Sequence, residues 1–383
     1  MRSTDRILTT HVGSMPRPQS VVDMLFAEDQ GKDFSQADYH AVMSQAVHDV
    51  VQKQAQAEVD IVSDGEMSKI SYATYIRHRL SGFEIGEMPR ATPKDLDDYP
   101  EYKERLANAG GTPKYHRPIC RGPIAYVNQE PLRQDIERLQ SAVAASDRTH
   151  AFMNAASPGV IAVFQPNDYY PTQEAYIEAL AEAMRVEYEM ITDAGLLLQI
   201  DSPDLAMGRH IRFRDVDDAE FVRNAELQVE ALNHAVANIP ADRIRMHLCW
   251  GNYEGPHTHD VPLETILPTI KKIKPRMLLF EASNPRHAHE WEAWGQADLP
   301  DDMTLIPGVL DTTTNYIEHP ELVSQRILSF ANSVGRERVI AGTDCGFGTF
   351  AGFGAVHPTI CYGKLAAMAE GARLASDKLW GNS

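Results

Sequence analysis

Short apolar runs rich in β-branched residues recur along the chain, and each is followed by a longer stretch whose apolar positions return every three or four residues. The first pattern predicts buried strands, and the second predicts helices that lay one face against them. Strand ends are expected over 9–12, 61–63, 160–164, 196–200, 244–250, 277–280, 305–310 and 339–343, with helical periodicity plainest over 176–184 and 221–227. Eight such repeats predict an α/β architecture, a closed parallel (β/α)8 TIM barrel. A barrel of this kind takes about 250 residues. The surplus of a 383-residue chain is therefore expected in loop excursions from one domain spanning 1–383, chiefly over 84–126, where Pro, Gly and charge dominate. Within that excursion, 117–124 reads as an extra strand or hairpin. No internal repeat, low-complexity tract or flexible linker marks a second domain.

In such a barrel the chemistry sits at the carboxyl ends of the strands. The polar residues found there are His11, Ser14, Asp64, Glu66, Asp201, His247, Cys249, Glu281, Asp311, Asp344 and Cys345. Side chains two apart on a strand point the same way, so His247 and Cys249 should converge. Cys345, arriving from another strand end, would be a third soft ligand and leave zinc one position to fill, the layout of a catalytic site. The plainer alternative, a core histidine beside a buried thiol, leaves the second strand-end cysteine unexplained. Glu281 would either join the ion or orient His247 from behind. Single acids such as Asp64 and Asp311 read better as helix caps or loop-pinning carboxylates. The pairs His257/His259 and His287/His289 read as solvated loop residues, and Cys120 and Cys361 as small buried hydrophobes.

Composition narrows the partners. With 43% hydrophobic residues the chain can build a large core, and a net charge of −18 argues against nucleic acid and anionic membrane surfaces, both of which reward positive charge. Small molecules or protein are the expected partners. Four cysteines and no apolar signal-like run at the start predict a reducing cytoplasm rather than a disulfide framework. No segment approaches the roughly 20 apolar residues needed to span a bilayer.

From Thr9-Thr10-His11-Val12-Gly13-Ser14-Met15-Pro16-Arg17-Pro18 to the final helix, the chain resembles the catalytic carboxyl-terminal barrel of cobalamin-independent methionine synthase. The motifs that carry the resemblance are His247-Leu248-Cys249, Phe280-Glu281-Ala282-Ser283 and Asp344-Cys345-Gly346. The amino-terminal half of the full-length enzyme has no counterpart, so the chain resembles the stand-alone, single-barrel members. The resemblance implies Zn2+ held by His247, Cys249, Glu281 and Cys345. It also implies a thiol pocket lined by Gly13, Ser14, Glu66 and Asp201, with the two acids reaching for an amino group.

Two departures fall on the donor side. Gln165 stands where the family places a tryptophan that stacks on the folate pterin, and Thr313 stands where it places a histidine acid. The segment 311–316, with His319 beyond it as a further catalytic candidate, looks more like the branch that includes epoxyalkane:coenzyme M transferase. The expected function is zinc-dependent thiol S-alkylation. Methyl transfer to a homocysteine-like thiol, from a donor that need not be methyltetrahydrofolate, stands ahead of epoxide opening by coenzyme M. A non-catalytic zinc- or thiol-binding barrel that needs a partner protein is the remaining alternative, and a homo-oligomer stays open. Arg17, Arg77, Arg79 and Arg121 are candidates to hold an acid group of a substrate.

Overall fold

The computed structural model describes residues 1–86, 92–108 and 115–381. Its strands are β1 (Leu8–Thr9), β2 (Ile61–Ser63), β3 (Phe83–Gly86), β4 (Arg117–Cys120), β5 (His150–Ala156), β6 (Leu197–Asp201), β7 (Ile244–Leu248), β8 (Met277–Phe280), β9 (Thr304–Leu310) and β10 (Ile340–Thr343). Eight of them form one parallel sheet in the order β1-β10-β9-β8-β7-β6-β5-β2. Its two ends meet where Asp60 N donates to Thr9 O at 3.2 Å and Thr10 Oγ1 donates to Ile61 O at 3.0 Å, so the sheet closes into the expected (β/α)8 barrel. The excursion contributes β3 and β4, an antiparallel pair in which Phe83 faces Cys120. Among the described residues, no helix is long and apolar enough to cross a membrane.

One expected strand is misplaced. Residues 160–164 lie in the helix Pro158–Phe164, whose first turn is set by Ser157 Oγ accepting from Val160 N at 2.9 Å and by the proline at its first position. The third barrel strand is β5 instead, which pairs with β2 on one side and β6 on the other. Its residues, His-Ala-Phe-Met-Asn-Ala-Ala, carry no β-branched side chain, so its neighbours rather than its own propensity hold it extended. The outer helices follow the expected pattern. In Gln173–Asp193 the buried positions Tyr176, Leu180, Met184 and Tyr188 recur every four residues, and Thr172 caps the start by accepting from Ala175 N.

Inside the barrel, side chains two apart build layers from the amino ends of the strands upward. Ile61, Phe152, Leu197, Met277, Leu279, Ile306 and Ile340 pack together as the apolar floor. Above them Arg245 donates to Thr10 Oγ1 at 2.9 Å and to His11 O at 2.7 Å, and its guanidinium lies 3.8 Å from the ring centre of Phe152. Burial lowers the pKa of this arginine to about 9, against the pull of Asp201. The next residues along the same inward stripes are Asp201 on β6, His247 on β7 and Glu281 just past β8.

Leu279 is fully buried directly beneath this mouth. Leu279→Ala should lower stability by about 2–5 kcal/mol through the cavity it leaves. Urea unfolding should show a lower midpoint with an unchanged slope.

Candidate active site at the carboxyl ends of the strands

His247 ends the inward stripe of β7, and Cys249 follows in the loop, as the two-residue spacing requires. Cys345 arrives from the turn after β10, and the ligating atoms of the three residues lie within 4.8 Å of one another. All three side chains are buried. Glu281 closes the group: its Oε1 stands 3.7 Å from Cys345 Sγ and accepts from Trp250 N at 2.7 Å, while Oε2 accepts from Asn284 Nδ2 at 2.6 Å. Burial holds Glu281 up at about 7, partly offset by His287. The Cys345 thiol is pushed well above its ordinary range by burial, then by Cys249, Glu281 and Asp344 around it.

Two thiols and a carboxyl group so close together cannot all ionise unless a cation joins them. The imidazole of His247 is kept neutral, its pKa lowered to about 3 by burial and then by Arg245, and its buried Nδ1 has no hydrogen-bond partner among the described residues. A neutral imidazole, two thiols and a carboxylate with an orphaned donor atom among them form a set that fits zinc.

Beside this group lies a cavity lined by Ser14, Glu66, Tyr72, Asn154, Asp201, Met207, Asn252 and Thr349, among others. Glu66 reaches it from a strained turn, with Gly65 at φ +66° and Glu66 itself at φ +55°, and Asp64 Oδ1 pins that turn by accepting from Glu66 N at 3.0 Å. Asp201 accepts from Asn154 Nδ2 and from Gln199 Nε2, each at 2.9 Å. Burial raises Glu66 to about 7, with Lys69 opposing, and raises Asp201 to about 6 against the hydrogen bonds from Asn154 and Gln199. Among the described residues, no hydrogen-bond donor reaches the buried acceptors Glu66 Oε2 and Asn154 Oδ1. Gly13 lies behind them at φ +137°, where a Cβ would stand 2.2 Å from Asn154 Oδ1, so only glycine leaves that amide in place.

A second chamber shares Tyr72, Met207, Asn252 and Thr349 with the first and adds Arg117, Phe164, His210, Arg212, Tyr253 and Phe350. Tyr72 packs edge-on to Phe164 at 5.7 Å and lies 6.0 Å from Phe350, which gives this chamber an aromatic wall.

Several candidates lie elsewhere. His319 is exposed and caps the helix Pro320–Val334, its Nδ1 accepting from Glu321 N at 3.2 Å, so it does not line either chamber. His11 is buried, with Nδ1 accepting from Gly13 N and Nε2 donating to Gln54, and it braces the first loop from outside the cavity. Asp311 pins its own loop through Thr313 and Thr314, as expected for a solitary acid. Arg77 pairs with Asp29, Arg79 with Asp135 and Glu187, and Arg121 is half exposed near Glu84 and Asp168. Arg17 stays close, 3.9 Å from Glu66 Oε2.

The reading of the histidine pairs as solvated loops holds for His289 but not for His257 and His287. Both of those are buried and share Asp260 as a partner, His257 from three residues away and His287 from the loop after β8, a contact that no local pattern announces. Tyr72, Asn154, Met207 and Asn252 were missed altogether. Asn154 could have been found only by placing β5, the strand that sequence reasoning lost.

A sequence model described as "Cobalamin-independent synthase, Catalytic domain" matches residues 7–90 and 107–358. The chain belongs to that family. Methionine synthase of Saccharolobus solfataricus is 26% identical over 376 residues, covering 97% of this chain and 95% of its own length. The Sulfolobus acidocaldarius methionine synthase is 23% identical over 341 residues, covering 88% and 85%. Among solved structures, a B12-independent methionine synthase from a Shewanella species, in complex with selenomethionine, superposes with a TM-score of 0.75 at 18% identity, covering 98% of this chain and all of that one. The fold of this synthase barrel is thus shared with a solved relative along its whole length.

One buried acid of the barrel stands apart from both chambers. Asp204 accepts from Ser157 Oγ at 2.7 Å, and burial raises it to about 7 against that hydrogen bond. A carboxyl group whose folded pKa lies above its unfolded value binds more protons when folded, so stability falls as pH rises between about 4 and 7. Asp204→Asn should therefore be more stable than wild type at pH 8 in urea unfolding, with the gap narrowing at pH 5.

Proposed function

We propose that this barrel is a zinc-dependent S-methyltransferase acting on a homocysteine-like amino thiol. The observation that carries the proposal is the adjacency of two unlike groups in one mouth. The His247, Cys249, Cys345 and Glu281 set borders a cavity in which Glu66 Oε2 and Asn154 Oδ1 are buried acceptors that no donor among the described residues reaches, with the Asp201 carboxyl group beside them. An ammonium group supplies those missing donors and counters the two acids. The methionine synthases among the relatives support the same substrate class.

His247, Cys249, Cys345 and Glu281 would hold the zinc, which when bound supplies the charge that keeps a substrate thiol ionised at neutral pH. The chain does the rest by placement. Glu66 and Asp201 grip the amino end, so the sulfur of a short amino thiol points toward the cysteines. Gly13 keeps Asn154 in line, and Tyr72 and Met207 narrow the passage to the second chamber, which limits water at the sulfur. The shared wall supports a methyl donor entering from that second chamber.

The donor side favours a methyl carrier that departs without being protonated, a sulfonium for example. Methyltetrahydrofolate would leave as an amine anion unless an acid assists. At the two positions that distinguish this chain, Gln165 is buried and turned to Ala73 O at 2.7 Å, while Thr313 Oγ1 is engaged by Asp311 at 2.8 Å. Opening of an epoxide by a sulfonated thiol is less well supported, because Glu66 and Asp201 would repel a sulfonate.

The test is transfer of a labelled methyl group to homocysteine, with methyltetrahydrofolate and a sulfonium compared as donors. Methionine should form from the sulfonium, and transfer to coenzyme M but not to homocysteine would sink the reading. Purified protein should contain zinc with sulfur neighbours in X-ray absorption. Both the sulfur signal and the transfer should vanish in Cys249→Ser/Cys345→Ser. Glu66→Gln keeps the shape but halves the acid pair, so the KM for homocysteine should rise about 10- to 100-fold, as expected for a lost charged hydrogen bond, with a smaller change in kcat.

A further inference from the structure

Among the described residues a second group of ligating side chains lies outside the thiol site. The donor atoms of Asp95, His210 and Asp260 fall within 4.8 Å of one another. They come from three separate segments: Asp95 from the excursion between β3 and β4, His210 from the short helix Gly208–Ile211 after β6, and Asp260 from the loop after β7. Their side chains are 0%, 1% and 4% exposed.

The decisive atom is His210 Nδ1. Nε2 of the same ring lies 2.8 Å from Trp250 O and must carry the hydrogen that it donates there. In the neutral ring Nδ1 then presents a lone pair, and among the described residues no hydrogen-bond partner meets that buried atom. It faces two carboxylate oxygens, Asp95 Oδ2 at 3.5 Å and Asp260 Oδ1 at 4.0 Å. The two carboxylate oxygens already accept from Tyr253 and His257, and a cation at the point where all three atoms converge would give the unpartnered Nδ1 something to bind.

Both carboxylates are held in this pose from behind. Asp95 accepts from the Tyr253 hydroxyl and from His259 N at 2.8 Å. Asp260 accepts from His257 Nδ1 at 2.9 Å and from His287 Nε2 at 3.0 Å. Hydrogen bonds of this kind orient ligands around metal ions.

We propose that Asp95, His210 and Asp260 bind a divalent cation of the zinc or manganese class, separate from the thiol site. One imidazole and two carboxylates suit an ion of intermediate to hard character. Donors around a tetrahedral ion with bonds of about 2.0–2.1 Å stand roughly 3.4 Å apart, near the 3.5 Å from His210 Nδ1 to Asp95 and somewhat shorter than the 4.0 Å to Asp260. The ion would fasten the excursion to the loops after β6 and β7, and so fix the wall of the second chamber to which His210 and Tyr253 belong. The site stands on its own geometry and does not depend on the activity proposed above.

The experiment uses the full chain carrying Cys249→Ser/Cys345→Ser, which removes the thiol ligands, after chelator treatment. Mn2+ is titrated in by electron paramagnetic resonance and Zn2+ by calorimetry. One equivalent should bind, with only nitrogen and oxygen neighbours at the zinc edge, and binding should be lost when His210→Gln or Asp95→Asn is added. Circular dichroism checks that each variant is folded. The bound ion should slow proteolysis between residues 92 and 108 by about tenfold, the protection expected when a ligand binds only the closed state well above its Kd. Absence of ion uptake by the thiol-free chain would overturn the proposal. Uptake that survives both substitutions, or no protection of the excursion, would overturn it equally.

Discussion

The Asp344 carboxylate accepts hydrogen bonds from Ala282 N, Ser283 N, Ser283 Oγ and Asn284 N, all between 2.8 and 2.9 Å. This one buried acid ties the turn after β10 to the turn after β8 across the intervening strand. The places of Cys345 and Glu281 at the mouth follow from that tie. Cys345 is the next residue in the chain, and Glu281 immediately precedes the amides that Asp344 holds. Gly308 on β9 leaves room for the crossing, because a Cβ there would stand 2.0 Å from Asp344 Oδ1. Burial raises the pKa of Asp344, and the donated hydrogen bonds oppose that rise, so the fastening is strongest when the acid is charged.

The mouth so built is electrostatically incomplete. Glu66, Asp201 and Glu281 are all buried and all held above the usual carboxylate range, and Glu66 sits in a left-handed backbone conformation that costs about 1–3 kcal/mol. Such costs persist because the barrel underneath overdetermines the positions. The apolar floor and the Arg245 layer fix the strand ends, and the helices outside fix the strands. An ammonium, a metal ion or both would relieve the strain that the protein alone maintains, which is how a binding site differs from a packing core. The loops beyond, with the buried Asp95, His210 and Asp260, extend the same principle to the wall of the second chamber.

The local signals that proved readable were those with a short-range physical cause. Alternation along a strand put His247 and Cys249 on one side, and repeated βα periodicity implied the parallel barrel in which strand ends converge. Solitary Asp311 behaved as a loop pin because Thr313 and Thr314 stand within reach of any aspartate at that spacing. The Ser157-Pro158 start of a helix is equally local, and in the fold it prevails over the apolar, β-branched residues that follow, so the strand lies one element earlier, at His150–Ala156.

What the sequence alone determined was therefore the class of fold, the pairing of His247 with Cys249, and the acids that end the strands, because each depends on neighbours within a few residues. Tertiary structure decided the rest. Only the closure of the barrel makes β5 a strand and brings Asn154 beside Asp201. Only the three-way meeting of distant loops buries His257 and His287 and leaves His210 facing two acids. Only the positions of helix caps and loops remove His319 and Arg79 from the mouth. Contacts between residues dozens to hundreds apart depend on how the whole chain packs, and no local pattern encodes them.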